Sequence, residues 1–310
     1  MSGTPAELRS MLDADAPLVA PGAFNALFAR LIEEAGFRAV YLSGAGVANA
    51  LLGQPDLGLV TMSEMVMVAE RICEVVDVPV IADGDTGYGG VHNVARTVAA
   101  YERAGVAAIQ IEDQRFPKRC GHFDGKEVVP AGEMVERVVA ARQGRSGDEG
   151  IVIIGRTDAA AIEGIEGAIA RGRMYGEAGA DVLFIEAPSS SKELALIASE
   201  LGDWPLVANM VEYGKTPLMT AEELGDLGFS LVLFPGSVTR TVTRAAQDTL
   251  DELHRTGTTS GRLESMATFD EVNRVVGLTD ADNWERRIQD AAAEDDSAGA
   301  EVDSAGTEEL

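Results

Sequence analysis

Residues 79–111 read PVIADGDTGYGGVHNVARTVAAYERAGVAAIQI. A short apolar run, Pro79–Ala82, meets an acidic glycine loop that extends from Asp83 to Gly90. An amphipathic stretch, Asn93–Ala104, follows and stops at Gly105, and a second largely apolar run, Ala107–Ile111, begins. Four or five apolar residues bounded by turn signals read as a buried strand. Spacing near 3.6 reads as a helix, and glycine after its last turn reads as its C-terminal stop. The segment is therefore one strand–helix unit followed by the next strand.

Outward in both directions the unit repeats. The runs Leu18–Ala20, Ala39–Ser43, Ile151–Arg156, Asp181–Ile185, Leu206–Ala208 and Leu231–Phe234 bring the strands to eight, with helical stretches such as Ala23–Ala35, Ser63–Val76, Gly164–Ala178 and Ala221–Leu227 between them. An Ala-Gly step precedes strands 2, 4 and 6 (Ala35-Gly36, Ala104-Gly105, Ala178-Gly179). Eight such units predict an α/β fold closed into a (β/α)8 TIM-type barrel rather than an open doubly wound sheet. Past strand 8, Val238–Arg255 and Thr268–Val276 keep helical spacing and exceed what a minimal barrel needs. Residues 1–289 are thus expected to form one barrel domain with a C-terminal helical extension. Residues 290–310 carry eight acidic and no basic side chains, which predicts a disordered, solvating tail.

Composition narrows the function. A chain of 310 residues with 46% hydrophobic side chains can bury one large core. Its 51 acidic against 25 basic residues give a net charge of -26. Self-repulsion of that size is screened in concentrated salt, where the Debye length is about 3 Å at 1 M, so the surface reads as adapted to high salt. Clustered Lys/Arg of the kind that binds nucleic-acid phosphate is missing from the sequence, so no nucleic-acid partner is expected. No apolar run of membrane-spanning length occurs, and Asp13 and Asp15 near the start do not fit a signal peptide. With two cysteines, Cys73 and Cys120, and no Cys-x-x-Cys pair, a reducing cytoplasm is the expected setting.

Chemistry concentrates at the strand ends, where barrels carry their active sites. Ser43-Gly44-Ala45 ends strand 2, Asp83-Gly84-Asp85 strand 3, Glu112-Asp113-Gln114 strand 4, Arg156-Thr157-Asp158 strand 5, Glu186 strand 6 and Asn209 strand 7. Asp83 and Asp85 are hard oxygen donors without the His/Cys set that zinc prefers, and Asp56 and Glu112 can complete an outer shell. That composition suits Mg2+, with Mn2+ as a substitute. In Lys118-Arg119-Cys120-Gly121-His122, a thiol between cations has its thiolate favoured and is a candidate proton donor and acceptor. His122, beside Cys120 and Arg119, is expected to help bind a carboxylate.

Tyr41-Leu-Ser-Gly, Asp83-Gly-Asp-Thr-Gly-Tyr-Gly, Ile111-Glu-Asp-Gln and Lys118-Arg-Cys-Gly-His resemble the lyase branch of the isocitrate lyase/phosphoenolpyruvate mutase superfamily, from about Ala20 to about Arg274. The resemblance implies that Cys120 protonates the departing carbanion and that Asp85, supported by Asp83, holds Mg2+. It also implies that Ser43, Gly44 and Ala45 hold the 2-oxo acid half, that Arg156 bridges substrate carboxylates, and that Gly121, His122, Glu186 and Asn209, with Arg240 nearby, bind a succinate half. Lys118, Arg119 and His122 would stabilise the developing charge, with Tyr41 or a metal-bound hydroxide as the base. Ala45 and the Asn209-Met-Val-Glu212 segment resemble methylisocitrate lyases rather than isocitrate lyases. Phe184, Leu233 and Pro235 match the apolar positions around the extra methyl group. The expected reaction is cleavage of 2-methylisocitrate, a tricarboxylate, to pyruvate and succinate in the methylcitrate cycle of propionate catabolism; the alternatives are isocitrate cleavage to glyoxylate and succinate, a related 2-hydroxy or 2-oxo acid lyase, and, in a different class, a non-catalytic dicarboxylate-binding barrel. A homotetramer with C-terminal helices exchanged between subunits is expected with it. Gln110 stands where the family usually has His, and Phe269 where Arg is common.

Overall fold

A computed structural model describes residues 3–119, 121 and 125–305, with side chains to residue 292. The eight expected strands all form: β1 (Leu18–Ala23), β2 (Val40–Leu42), β3 (Val80–Asp83), β4 (Ala108–Glu112), β5 (Val152–Thr157), β6 (Val182–Ile185), β7 (Leu206–Asn209) and β8 (Leu231–Phe234). Each pairs in parallel with the next, and β8 returns to β1, closing a TIM-type barrel in chain order.

Side chains alternate faces along a strand, so a period of two decides what points to the barrel axis. Tyr41, Ile81, Ala108, Ile154, Phe184, Val207 and Leu233 belong to the inner cluster. Val40, Ala82, Ile109, Ile153 and Leu183, one position off, pack outward into the layer between sheet and helices. The inner cluster also takes in Leu8, Met11 and Leu12 from α1 (Pro5–Leu12), a helix the sequence reading did not single out. Pro5 sits in its first turn, and Thr4 caps it by accepting from Glu7 N at 3.2 Å. Burying each of these three side chains stabilises the barrel by about 1.5–3 kcal/mol.

The helices that follow are α2 (Ala26–Glu34), α3 (Gly44–Val47), α4 (Met62–Cys73), α5 (Val91–Arg103), α6 (Ala131–Gly144), α7 (Ala160–Glu177), α8 (Ser191–Leu201) and α9 (Ala221–Leu227). Their starts are set by local chemistry. Thr61 and Thr220 form reciprocal capping boxes with Glu64 and Glu223, and Asn25 and Ser190 cap α2 and α8.

The chain divides into two compact units, Met1–Asp248 and Thr249–Leu310. The barrel lies in the first. The C-terminal helices are α10 (Ser237–Thr256), none of whose residues is buried, α11 (Phe269–Val275) and α12 (Leu278–Ala305). The boundary expected at residue 290 falls inside α12, and residues 306–310 lie outside those described. Among the described residues no helix is long and apolar enough to cross a membrane.

Candidate active site

The two-residue register that fills the barrel with apolar side chains ends in polar ones at the carboxyl ends of the strands. Tyr41 is followed inward by Ser43, Ile81 by Asp83, Ala108 by Gln110 and Glu112, Ile154 by Arg156 and Asp158, Phe184 by Glu186, Val207 by Asn209, and Leu233 by Pro235. Tyr41, Ser43, Asp83, Glu112, Arg156, Glu186, Asn209 and Pro235 line a cavity of about 150 Å3. Ala45, Asp56, Lys118, Arg119, Gly121 and Arg240 join them from the loops and α10. Gly44 lies behind Asp83, where an added Cβ would sit 2.7 Å from Asp83 Oδ2. Cys120 and His122 lie outside the described residues, but Arg119 and Gly121 on either side of Cys120 are described.

One wall is made of carboxylates. Asp83 Oδ1 accepts from the Asp85 backbone N–H at 3.0 Å and from Gln110 Nε2 at 3.4 Å. Gln110 Oε1 in turn accepts from the Tyr41 hydroxyl at 3.3 Å. Asp85 holds a left-handed φ of 47°, a region Asp tolerates better than most residues. Its carbonyl accepts from Glu112 N at 2.9 Å. Lys118 Nζ bridges Asp56 Oδ1 at 2.6 Å and Asp85 Oδ1 at 2.7 Å, with its side chain 4% exposed. Burial pushes the Asp85 carboxyl up to about 6, with Lys118 pulling it down and Asp83 pushing it further up. Burial works against the charge on Lys118, but Asp85, Asp83 and Asp56 outweigh it and raise the ammonium well above its ordinary value. Burial, with Asp83, also holds the Tyr41 phenol protonated.

A second cluster is built on Arg156. Its Nε lies 3.2 Å from Glu112 Oε2 and 2.9 Å from Asp158 Oδ2, and its Nη2 lies 3.4 Å from Glu186 Oε1. Asn209 Nδ2 donates to Glu186 Oε2 at 3.1 Å. Arg240 pairs with Glu212 at 3.0 Å, and Glu212 also accepts from the Ser237 hydroxyl. Phe184 and Leu233, expected around the substrate's methyl group, lie in the barrel core beneath the cavity, each 1% exposed. Phe184 supports Arg156, its ring centroid 4.9 Å from the guanidinium carbon. Phe269 is 90% exposed at the start of α11.

Three buried residues beyond the expected set shape the site. Asp158 holds Arg156 through both carboxylate oxygens and also pairs with Lys126 at 2.8 Å. Burial would raise Asp158, but Arg156 and Lys126 outweigh it and hold the carboxyl at about 2. Asp113, on the outward side, accepts from Thr157 Oγ1 at 2.6 Å, Tyr175 OH at 2.7 Å and the Asp158 backbone N–H at 2.9 Å. Burial nevertheless pushes the Asp113 carboxyl above its usual range. For Asp158 a signal existed, since it continues the inward register of Ile154 and Arg156. Lys126 stands 32 residues from its partner, and no local pattern joins them.

A second cavity, of about 670 Å3, lies beside Asp85 between the 58–63 segment, α5 and α6. The smaller one is the candidate site, because strand-end side chains from seven strands converge there and bring carboxylates and an arginine together. The sequence family described as phosphoenolpyruvate phosphomutase matches residues 8–254. The chain belongs to the PEP mutase/isocitrate lyase superfamily. This superfamily member is 46% identical over 275 residues to the 2,3-dimethylmalate lyase of Eubacterium barkeri, covering 89% of this chain and 94% of that one. To the 2-methylisocitrate lyase of Aeropyrum pernix it is 42% identical over 287 residues, covering 93% and 92%. Among solved structures of the superfamily, a crystal structure of 2,3-dimethylmalate lyase matches with a TM-score of 0.88 at 40% identity, over 93% of this chain and 96% of that one. Phosphonopyruvate hydrolase in complex with oxalate and Mg2+ matches with a TM-score of 0.83 at 30% identity, over 93% and 99%. The chain is an enzyme of the superfamily's carbon–carbon lyase type.

Proposed function

We propose that this enzyme cleaves 2-methylisocitrate to pyruvate and succinate with Mg2+ as cofactor. The observation that carries the reading is the convergence on one small cavity of the carboxylates of Asp56, Asp83 and Glu112 with Arg156, Asn209 and Arg240, beside the two residues that flank Cys120. The 42% identity to a 2-methylisocitrate lyase over nearly the whole chain supports it.

The residues fit a hard divalent cation. Glu112 Oε1 is buried without a hydrogen-bond partner, and Asp85 is crowded by neighbouring carboxylates, two conditions that a cation relieves. Asp85 and Asp83 would hold Mg2+, with Asp56 and Glu112 outside them. Mn2+ offers the same oxygen preference. The ion supplies Lewis acidity toward the 2-hydroxyl and its carboxylate.

The protein's own groups account for the remaining steps. Ser43, Gly44 and Ala45, at the start of α3, seat the 2-oxo acid half, and Glu186, Asn209, Gly121 and Arg240 the succinate half, with His122 on the same loop. Arg156 spans the two. The hydroxyl proton leaves as the C2–O bond becomes a carbonyl, the C2–C3 bond breaks, and its electron pair passes to C3. Lys118 and Arg119 stabilise that charge, and the Cys120 thiol delivers a proton to C3. Because Tyr41 is held as a phenol, its hydroxyl serves as a donor to Gln110. Glu112, which lines the cavity with its Oε1 buried and without a hydrogen-bond partner, would accept the hydroxyl proton. Phe184 and Leu233 set the floor of the pocket, with Pro235 at its edge.

A second reading is 2,3-dimethylmalate cleavage, favoured by the 46% identity to that lyase; isocitrate cleavage is a third. One methyl group is worth only about 1–3 kcal/mol of discrimination. Trapping the released oxo acid with phenylhydrazine, in high salt with Mg2+, decides among them. Turnover of 2-methylisocitrate well above the other two supports the proposal, and preference for either other substrate overturns it.

The same reading extends to setting and assembly: a cytoplasmic enzyme of the methylcitrate cycle, working in high salt. We propose a homotetramer that exchanges its C-terminal helices. The barrel unit carries an apolar groove of about 630 Å3 lined by Val19, Phe28, Leu31, Phe37 and Phe234, and α12 exposes Trp284 and Ile288 one turn apart. In this reading residues 1–289 act as one domain, and 290–310 as an acidic solvating end.

A further inference from the structure

We infer that Gln114 and Lys126 are positioning residues that pin the backbone on both sides of position 120 against Arg156 and Glu186. The inference rests on the proposed lyase reading for its catalytic consequence, but not for its geometry. The segment begins and ends as a paired stem: Arg115 N donates to Glu127 O at 2.8 Å and Val129 N to Asp113 O at 2.9 Å. Within it, the Gln114 side chain grips one peptide position twice. Its Nε2 donates to Arg119 O at 2.8 Å, and its Oε1 accepts from Arg119 N at 2.9 Å. Two residues further on, Lys126 Nζ donates to Gly121 O and to Asp158 Oδ1.

The chemistry of Lys126 is costly unless it serves the site. Its side chain is 2% exposed and its partner Asp158 is fully buried, and removing such a pair from water takes several kcal/mol that attraction only partly returns. The ammonium holds the Gly121 carbonyl and the same carboxylate that orients Arg156. Placement of the loop and placement of Arg156 are thereby joined through Asp158. Gly121 is packed so closely that an added Cβ would collide with Glu186 Oε1 and Arg156 Nη2. The pinned peptide is therefore the roof of the cavity. Misplacing it by about 1 Å should lower turnover by roughly a hundredfold.

The test measures amide hydrogen exchange at Arg119 by NMR, together with kcat and KM, in the Mg2+-loaded protein and its Gln114→Leu, Gln114→Glu and Lys126→Met variants. Gln114→Leu should speed Arg119 exchange by roughly tenfold or more and cut kcat ten- to hundredfold, leaving the Mg2+ titration midpoint in place. Gln114→Glu keeps the acceptor for Arg119 N and should restore much of the protection. Lys126→Met should lower kcat in the same way; if it fails to fold, the Gln114 pair carries the test. Unchanged exchange in Gln114→Leu, or faster exchange with unchanged kcat, overturns the inference. Rates are taken on whichever of 2-methylisocitrate, isocitrate and 2,3-dimethylmalate the parent enzyme cleaves. A wrong substrate assignment then shows in the parent, separately from the variants.

Discussion

Lys118 Nζ lies 2.7 Å from Asp85 Oδ1 and is almost wholly buried. An ammonium thus neutralises the carboxylate wall that we propose to hold a divalent ion. Lys118→Met should leave Asp56 and Asp85 facing each other and destabilise the metal-free protein by roughly 3–5 kcal/mol. Added Mg2+ should recover part of that loss. Thermal unfolding with and without Mg2+ checks it, and a variant as stable as its parent in chelator would contradict the account.

Cys120→Ser keeps the size of the side chain but removes an acid whose thiolate the neighbouring cations favour. Turnover should fall by about two to four orders of magnitude, while Mg2+ binding followed by calorimetry stays near that of the parent. An active serine variant would refute the role of the thiol.

Asp158→Asn tests the link between Arg156 and Lys126. Its carboxyl is held at about 2 in the folded protein, below its unfolded value. Its ionisation therefore stabilises the fold above about pH 4, and that contribution fades as pH falls through about 2. The substitution should cost roughly 3–5 kcal/mol near neutrality. Urea midpoints of parent and variant should converge on acidification, and a gap that is constant from pH 7 to pH 3 would count against this linkage.

Gly121→Ala places a methyl group against Glu186 and Arg156. The loop must lift or both side chains must move, so kcat/KM should drop by roughly a hundredfold with little change in unfolding temperature. Steady-state kinetics alongside a melting curve separates this from loss of fold.

Trp284→Asp combined with Ile288→Asp puts two charges on the exposed apolar stripe of α12. If that stripe covers a partner's groove, sedimentation velocity should show the assembly falling to smaller species. Retention of the parent's sedimentation coefficient would exclude the exchange.

The eight strands were legible because each is a short apolar run stopped by a turn signal, and a barrel buries both faces of every strand. The strand-end acids and Arg156 were legible for the same reason, as polar residues out of place at the end of such runs. Contacts distant in sequence were not. Nothing in Met1 to Pro17 announces that Leu8, Met11 and Leu12 join the barrel interior, and Lys126 reads as a loop lysine until Asp158 is seen beneath it. Phe184 and Leu233 follow the inward register of their strands. Their register places them one layer below the cavity, where Phe184 supports the guanidinium of Arg156.

The inward register of the strands also bears on how such an enzyme diversifies. Stability resides in the layer at Ile81, Ile154, Phe184 and Leu233, while reactivity resides one step along, at Asp83, Arg156, Glu186 and Pro235. A lineage can therefore exchange the upper ring for new chemistry without repacking what lies below. An insertion or deletion of a single residue within any strand would turn both layers inside out at once.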